Sequence, residues 1–120
     1  MKETLVESKL ITEDPLIEMR KGLILSCLTN NKAENIISIN VKNKSDITDH
    51  MIIASGLSKL HISSLVNKIT NQIKKEFNIG VEVEGSTNCT WVLICFYNIM
   101  VHIFDKETRD YYQLEKMWLL

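Results

Sequence analysis

The 120 residues contain few groups whose type and spacing suit chemistry. Glu82 and Glu84 stand two apart in Val81-Glu82-Val83-Glu84, so on a strand both carboxylates project to one side. Such a pair could hold a divalent cation for nucleotidyl transfer; the commoner meaning of the pattern is solvated charge on an edge strand. Ser55-Gly56-Leu57-Ser58 precedes a helical pattern, where backbone N–H groups would receive a phosphate. It has one Gly and neither a Walker lysine nor a dinucleotide fingerprint, and a capping turn accounts for it. Cys95 and His102 fall as diagonal neighbours across a hairpin, with Cβ atoms roughly 7 Å apart, too far for a formed nucleophile–base pair. No helix N-terminus lies at hand to depress the thiol pKa. His50, His61, His102, Cys89 and Cys95 lack the close pairs of a zinc site, so no metal and no cofactor are expected.

The elements that must position these residues follow from periodicity. Residues 1–13 have weak periodicity and read as an N-terminal arm ahead of one domain over 14–120. Asp14-Pro15 opens a helix as N-cap and first helical residue, with Leu16, Met19, Leu23, Ile24, Cys27 and Leu28 as its apolar stripe and Asn30-Asn31 as its end. Glu34 to Val41 alternates as a strand, and Met51 to Ala54, apolar on both faces, reads as an interior strand. Ser58 caps the longest helix, whose stripe is Ile62, Leu65, Val66, Ile69, Ile73 and Phe77, with Gly80 ending it. Val81 to Glu84 is a short strand. Thr108 to Trp118 is an amphipathic last helix. The order predicts a mixed sheet of about five strands packed with helices, an α/β or α+β layer.

Composition bounds the rest. A 45% hydrophobic chain with 24% charged residues and a net charge of −1 has no global basic field, which argues against nonspecific nucleic-acid binding. Three cysteines in no scaffold pattern suit free thiols in a reducing cytoplasm. The N-terminus lacks the apolar region of a signal peptide. No run reaches the length of a membrane span. A cytoplasmic protein without membrane attachment is expected.

Trp91 to Phe104 organises the chain. Two apolar runs flank Tyr97-Asn98, predicting a two-residue hairpin in which Phe96 pairs with Ile99, Cys95 with Met100, Ile94 with Val101 and Leu93 with His102. One face, Val92, Ile94, Phe96, Ile99, Val101 and Ile103, must be core. The other carries Trp91, Leu93, Cys95, Met100, His102 and Phe104, and what covers it is the functional question. Either the last helix folds over it, or it joins Tyr111, Tyr112 and Trp118 in a protein interface.

Several separated motifs resemble the ribosomal silencing factor family, also called Iojap. They are Asp46-Ile47-Thr48-Asp49-His50-Met51-Ile52-Ile53-Ala54-Ser55-Gly56-Leu57-Ser58-x-x-His61, the spacing from Glu84-Gly85 to Trp91, Val101-His102-Ile103-Phe104, and Thr108-Arg109-x-x-Tyr112-x-Leu114-Glu115-x-x-Trp118. Together they span nearly the whole chain. The resemblance implies a nucleotidyltransferase-like fold without catalysis, binding to the fourteenth protein of the large ribosomal subunit, and a steric block of subunit joining when nutrients run short. Organellar relatives act in large-subunit assembly, and members are seen as homodimers. The chain departs from the family at the hairpin, where Trp-x-x-x-Asp-Tyr/Leu-Gly-Asp is usual and Cys95, Phe96, Tyr97 and Asn98 stand here. Tyr97 lacks the easy positive φ of Gly, so a different turn is expected. Loss of the acid at Cys95 predicts a more apolar, less salt-dependent contact.

The expectation is a non-enzymatic repressor of subunit joining that contacts its partner through Trp91, Leu93, Cys95, Tyr97, Asn98, Met100 and His102, with no sequence-specific nucleic-acid contact of its own. Trp91→Ala should abolish co-sedimentation with the large subunit and leave the fold intact. The alternatives are a large-subunit assembly factor and a metal-dependent nucleotidyltransferase using Glu82 and Glu84.

Overall fold

A computed structural model describes residues 15–118; the expected arm over 1–13 and the Asp14 cap lie outside them. Helix α1 (Pro15–Asn30) leads into β1 (Glu34–Asn40) and β2 (His50–Gly56). Helix α2 (Lys59–Phe77), β3 (Glu82–Glu84), β4 (Trp91–Phe96) and β5 (Ile99–Asp105) follow, then α3 (Lys106–Tyr112) and α4 (Leu114–Trp118). The strands form one sheet in the order β1-β2-β5-β4-β3, with β2 and β5 parallel and the other pairs antiparallel. This is the mixed five-stranded sheet with helices that the periodicities predict.

The hairpin register is the expected one, from Phe96↔Ile99 to Trp91↔Phe104. Its core face, Val92, Ile94, Phe96, Ile99, Val101 and Ile103, is wholly buried under Ile24 and Leu28 of α1 and Ile62, Leu65, Ile69 and Ile73 of α2. Burying each such side chain contributes roughly 1.5–3 kcal/mol, so this layer dominates the stability of the fold. Strand β2 is buried along its whole length, as an interior strand between β1 and β5 must be. Ser58 caps α2, its Oγ accepting from His61 N at 3.0 Å.

Three local expectations are corrected. The α1 stripe holds at Ile24 and Leu28, which are buried, but in the first turn Ile17 is buried while Leu16 is 48% and Met19 60% exposed. Ile17 and Leu16 both satisfy the helical period, and packing selects between them. Helix α2 ends at Asn78 rather than Gly80, because Asn78 itself takes the left-handed conformation (φ 55°) and its N–H bonds to Lys74 O. The last helix is broken: Gln113, left-handed at φ 49°, separates α3 from α4. The hairpin turn holds Tyr97 at positive φ (53°) without a Gly.

Candidate functional site

The second sheet face is half covered. The break at Gln113 turns Leu114 and Trp118 of α4 onto Phe104, Ile39, Val41, Met51 and Ile53, closing a second, smaller core. Arg109 locks α3 to this region. Its buried guanidinium donates from Nη1 to Ser55 Oγ at 2.7 Å and from Nε to Glu115 at 3.1 Å. Lys44 Nζ donates to Trp118 O at 3.0 Å, tying α4 to the loop after β1.

The remainder of the face is open. Leu93 and Cys95 of β4 and Met100 of β5 stay half-buried there. Register places Glu82 beside Cys95 and Glu84 beside Leu93, so both carboxylates border this apolar strip on its own side of the sheet. Burial raises the Cys95 thiol pKa, and the negative charges of Glu82 and Glu84 raise it further. That is the opposite of an activated nucleophile. A groove of about 290 Å³ lined by Glu84, Gly85, Trp91 and Leu93 runs along one end. Gly85 shapes it: φ is +85°, and a Cβ there would collide with Trp91 O at 2.2 Å.

Of the seven expected contact residues, Leu93, Cys95 and Met100 sit on the open strip and Asn98 at its end, while the Tyr97 ring lies toward the helix-covered side, against Phe96 and Arg20 of α1. His102 instead braces the covered half, and so does Trp91, which also lines the groove. The Trp91 ring lies 4.8 Å from Phe104 and 4.9 Å from Tyr112, and its Nε1–H donates to His102 Nδ1 at 3.0 Å. His102 is 6% exposed, and burial pushes its pKa down to about 4. Trp91→Ala would therefore cost the fold as well as any contact, contrary to expectation, because its ring fills the joint between hairpin and C-terminal helices.

The turn is held from outside the hairpin. Asn98 O accepts from Thr48 Oγ1 at 2.7 Å and from Asp49 N and His50 N at 3.1 Å, and Asn98 Nδ2 donates to Asp49 at 3.0 Å. The Arg20 guanidinium stacks 3.7 Å from the centroid of the Tyr97 ring. These contacts pin a left-handed tyrosine, a local strain that the surroundings over-determine. Thr48 and Asp49 of the Asp46–His61 motif are thus turn anchors.

The Ser55–Ser58 turn spends its donors internally. Leu57 N donates to His61 Nδ1 at 2.9 Å, and His61 N donates to Ser58 Oγ. Because Asn31 O can only accept, His61 Nε2 carries the proton at 2.7 Å from it. Gly56 lets Ile62 approach, since a Cβ would stand 2.4 Å from Ile62 Cγ1. Strand β5 and β4 separate this turn from Glu82 and Glu84, so the two do not share a site.

Residues 17–119 match the family described as ribosomal silencing factor during starvation. A ribosomal silencing factor of Zymomonas mobilis is 35% identical over 101 residues, 84% of this chain and 76% of that protein. A mouse protein, mitochondrial assembly of ribosomal large subunit protein 1, is 31% identical over 82% of this chain, which spans 44% of it. A crystal structure from Chromobacterium violaceum superposes with a TM-score of 0.81 at 26% identity, covering 85% of each chain. With its sheet, its motifs and nearly its whole length matched, the chain belongs to the ribosomal silencing factor family.

Proposed function

We propose that this protein binds the large ribosomal subunit through that subunit's fourteenth protein and blocks joining of the small subunit when nutrients are limiting, without catalysing a reaction. Family membership carries the reading, and the open strip of Leu93, Cys95 and Met100 supports a docking surface. Its chemistry is an apolar centre with an acidic border, which fits a partner patch that is apolar with basic flanks. The acid absent at position 95 has a counterpart one strand over, in Glu82. Glu82 and Glu84 give the contact a charge-assisted component beside its apolar centre. Asn98 extends the surface at one end.

Met100→Glu tests this. The side chain is half-buried on the open strip, and Met100 pairs with Cys95 close to Glu82. A third carboxylate there should abolish co-sedimentation with large subunits and restore subunit joining in the protein's presence, while urea unfolding shows a folded domain. Unchanged co-sedimentation would sink the assignment. The name of the mouse relative supports a second reading, an assembly factor for the large subunit. In a deletion strain that reading requires large-subunit precursors to accumulate in unstressed growth.

A further inference from the structure

The net charge of −1 conceals a segregation along the fold. Residues 15–80 carry nine Lys and Arg against five Asp and Glu, whereas residues 81–118 carry three against six. Much of the positive half lies on α2, which has Lys59, Lys68, Lys74 and Lys75 and a single acid, Glu76. That acid accepts from Gln72 Nε2 at 3.2 Å. The buried row Ile62, Leu65, Val66, Ile69 and Ile73 faces the sheet. At 3.6 residues per turn, the opposite surface is then Ser64, Asn67 and Asn71, flanked by Lys68, Lys74 and Lys75.

The cationic surface continues beyond the helix. Lys32, in the turn after α1, and Lys68 line one cavity of about 320 Å³ together with Asn30, Asn31, His61, Ser64 and one apolar side chain, Leu57. Lys68 Nζ is anchored on Asn31 Oδ1 at 2.9 Å, which holds the ammonium at the cavity wall. Both His61 nitrogens are engaged, so the donors facing the cavity are the two ammonium groups and the Ser64 hydroxyl.

We propose that this α2 face docks on an RNA sugar–phosphate backbone, on the side of the sheet opposite the open strip. Lys, Ser and Asn are the side chains that take phosphate and sugar contacts without reading sequence. A helix of 19 residues is about 28 Å long, enough to follow several phosphates. A protein partner would want an apolar centre, but the large exposed apolar side chains here, Leu57 and Leu60, sit together at the N-terminal end of α2 and leave the rest of the face polar. The inference rests on the ribosome-binding reading above, which brings RNA within reach. The protein would then grip the subunit from two sides, with protein on the sheet and RNA on the helix.

The test uses the full chain with Lys32, Lys68 and Lys75 replaced together by Gln, and as control Lys106→Gln with Lys116→Gln. Fluorescence anisotropy with a short RNA duplex of arbitrary sequence, and co-sedimentation with large subunits, are each measured across a salt series. The log–log salt slope of the triple variant should be shallower by about one unit per lysine that meets a phosphate, with the control unchanged. Equal slopes for triple variant and wild type overturn the proposal. So does binding of polyglutamate without binding of the duplex, which would assign the face to an acidic protein. Met100→Glu separates the two readings. If it fails to sediment while the triple variant keeps the wild-type slope, the RNA face is wrong and the sheet face stands; the converse pattern overturns the sheet face.

Discussion

Acid should loosen this fold through one buried histidine. His102 has an ordinary pKa of 6.5 in the unfolded chain and about 4 in the folded protein, because burial disfavours its charged form. The folded value is the lower one, so the unfolded chain takes up the proton first as pH falls. The stabilisation from a neutral His102 is complete above pH 6.5 and is lost progressively between 6.5 and 4. At 1.36 kcal/mol per unit, the whole window costs about 3 kcal/mol, of which about 2 kcal/mol is gone by pH 5. Against a typical stability of about 5–15 kcal/mol this is a large fraction. Urea unfolding of wild type and His102→Leu at pH 7.5, 6 and 5 isolates it. The variant leaves the Trp91 indole N–H without its acceptor, a cost of about 1–3 kcal/mol that does not vary with pH. The stability gap between wild type and variant should therefore narrow by about 2 kcal/mol by pH 5. Parallel curves would refute the reasoning, as would an imidazole titration by NMR near 6.5.

Two further perturbations probe the frame of the site. Arg109→Ala removes the cation that Ser55 and Glu115 share and strands a carboxylate whose Oε2 already has no partner among the described residues. It should lower stability by about 3–5 kcal/mol, and a urea-midpoint shift equivalent to less than about 1 kcal/mol would contradict a structural role for the pair. Tyr97→Gly relieves a left-handed tyrosine, worth about 1 kcal/mol, but gives up stacking under Arg20, worth about 0.5–1 kcal/mol. The single variant should be near neutral, and the same change in an Arg20→Ala background should stabilise by about 1 kcal/mol; equal effects in both would show that the stacking carries no energy.

The hairpin was legible because its signal is local: period-two runs about a two-residue turn set every pair from Trp91 to Phe104. The use of its second face was not. Whether Trp91 meets a partner or its own chain depends on where α4 docks, and that depends on left-handed backbone at Gln113, a residue with no special tendency toward it. The α1 stripe was ambiguous for a related reason, since Leu16-Ile17 and Leu23-Ile24 satisfy the helical period twice over. Asn78 outranked Gly80 as the end of α2 because the last buried turn finishes at Ile73 and Phe77, and Asn tolerates the left-handed region. The acidic border escaped notice because the pairing of Glu82 with Cys95 is set across the loop from Gly85 to Thr90, not by pattern within either strand. The family motifs pointed to the correct lineage, while the roles of Thr48, Asp49 and His61 emerged only from contacts across the fold.

Strand order has a further consequence, in time rather than space. Every residue proposed for the sheet-face contact belongs to the β3–β4–β5 ribbon, continuous between Glu82 and Asp105. Its central hairpin closes over two residues, and such hairpins form within roughly 1–10 μs. The parallel pairing of β2 with β5 joins His50 to Ile99 and must wait for a far longer loop to close. During synthesis the sheet-face contact surface therefore emerges after both long helices and forms quickly once made, while those helices stand ready to cover its other face. Until they do, Val92, Ile94 and Phe96 lie bare. The nascent ribbon is thus a surface in search of its own helices before it is one for a ribosome.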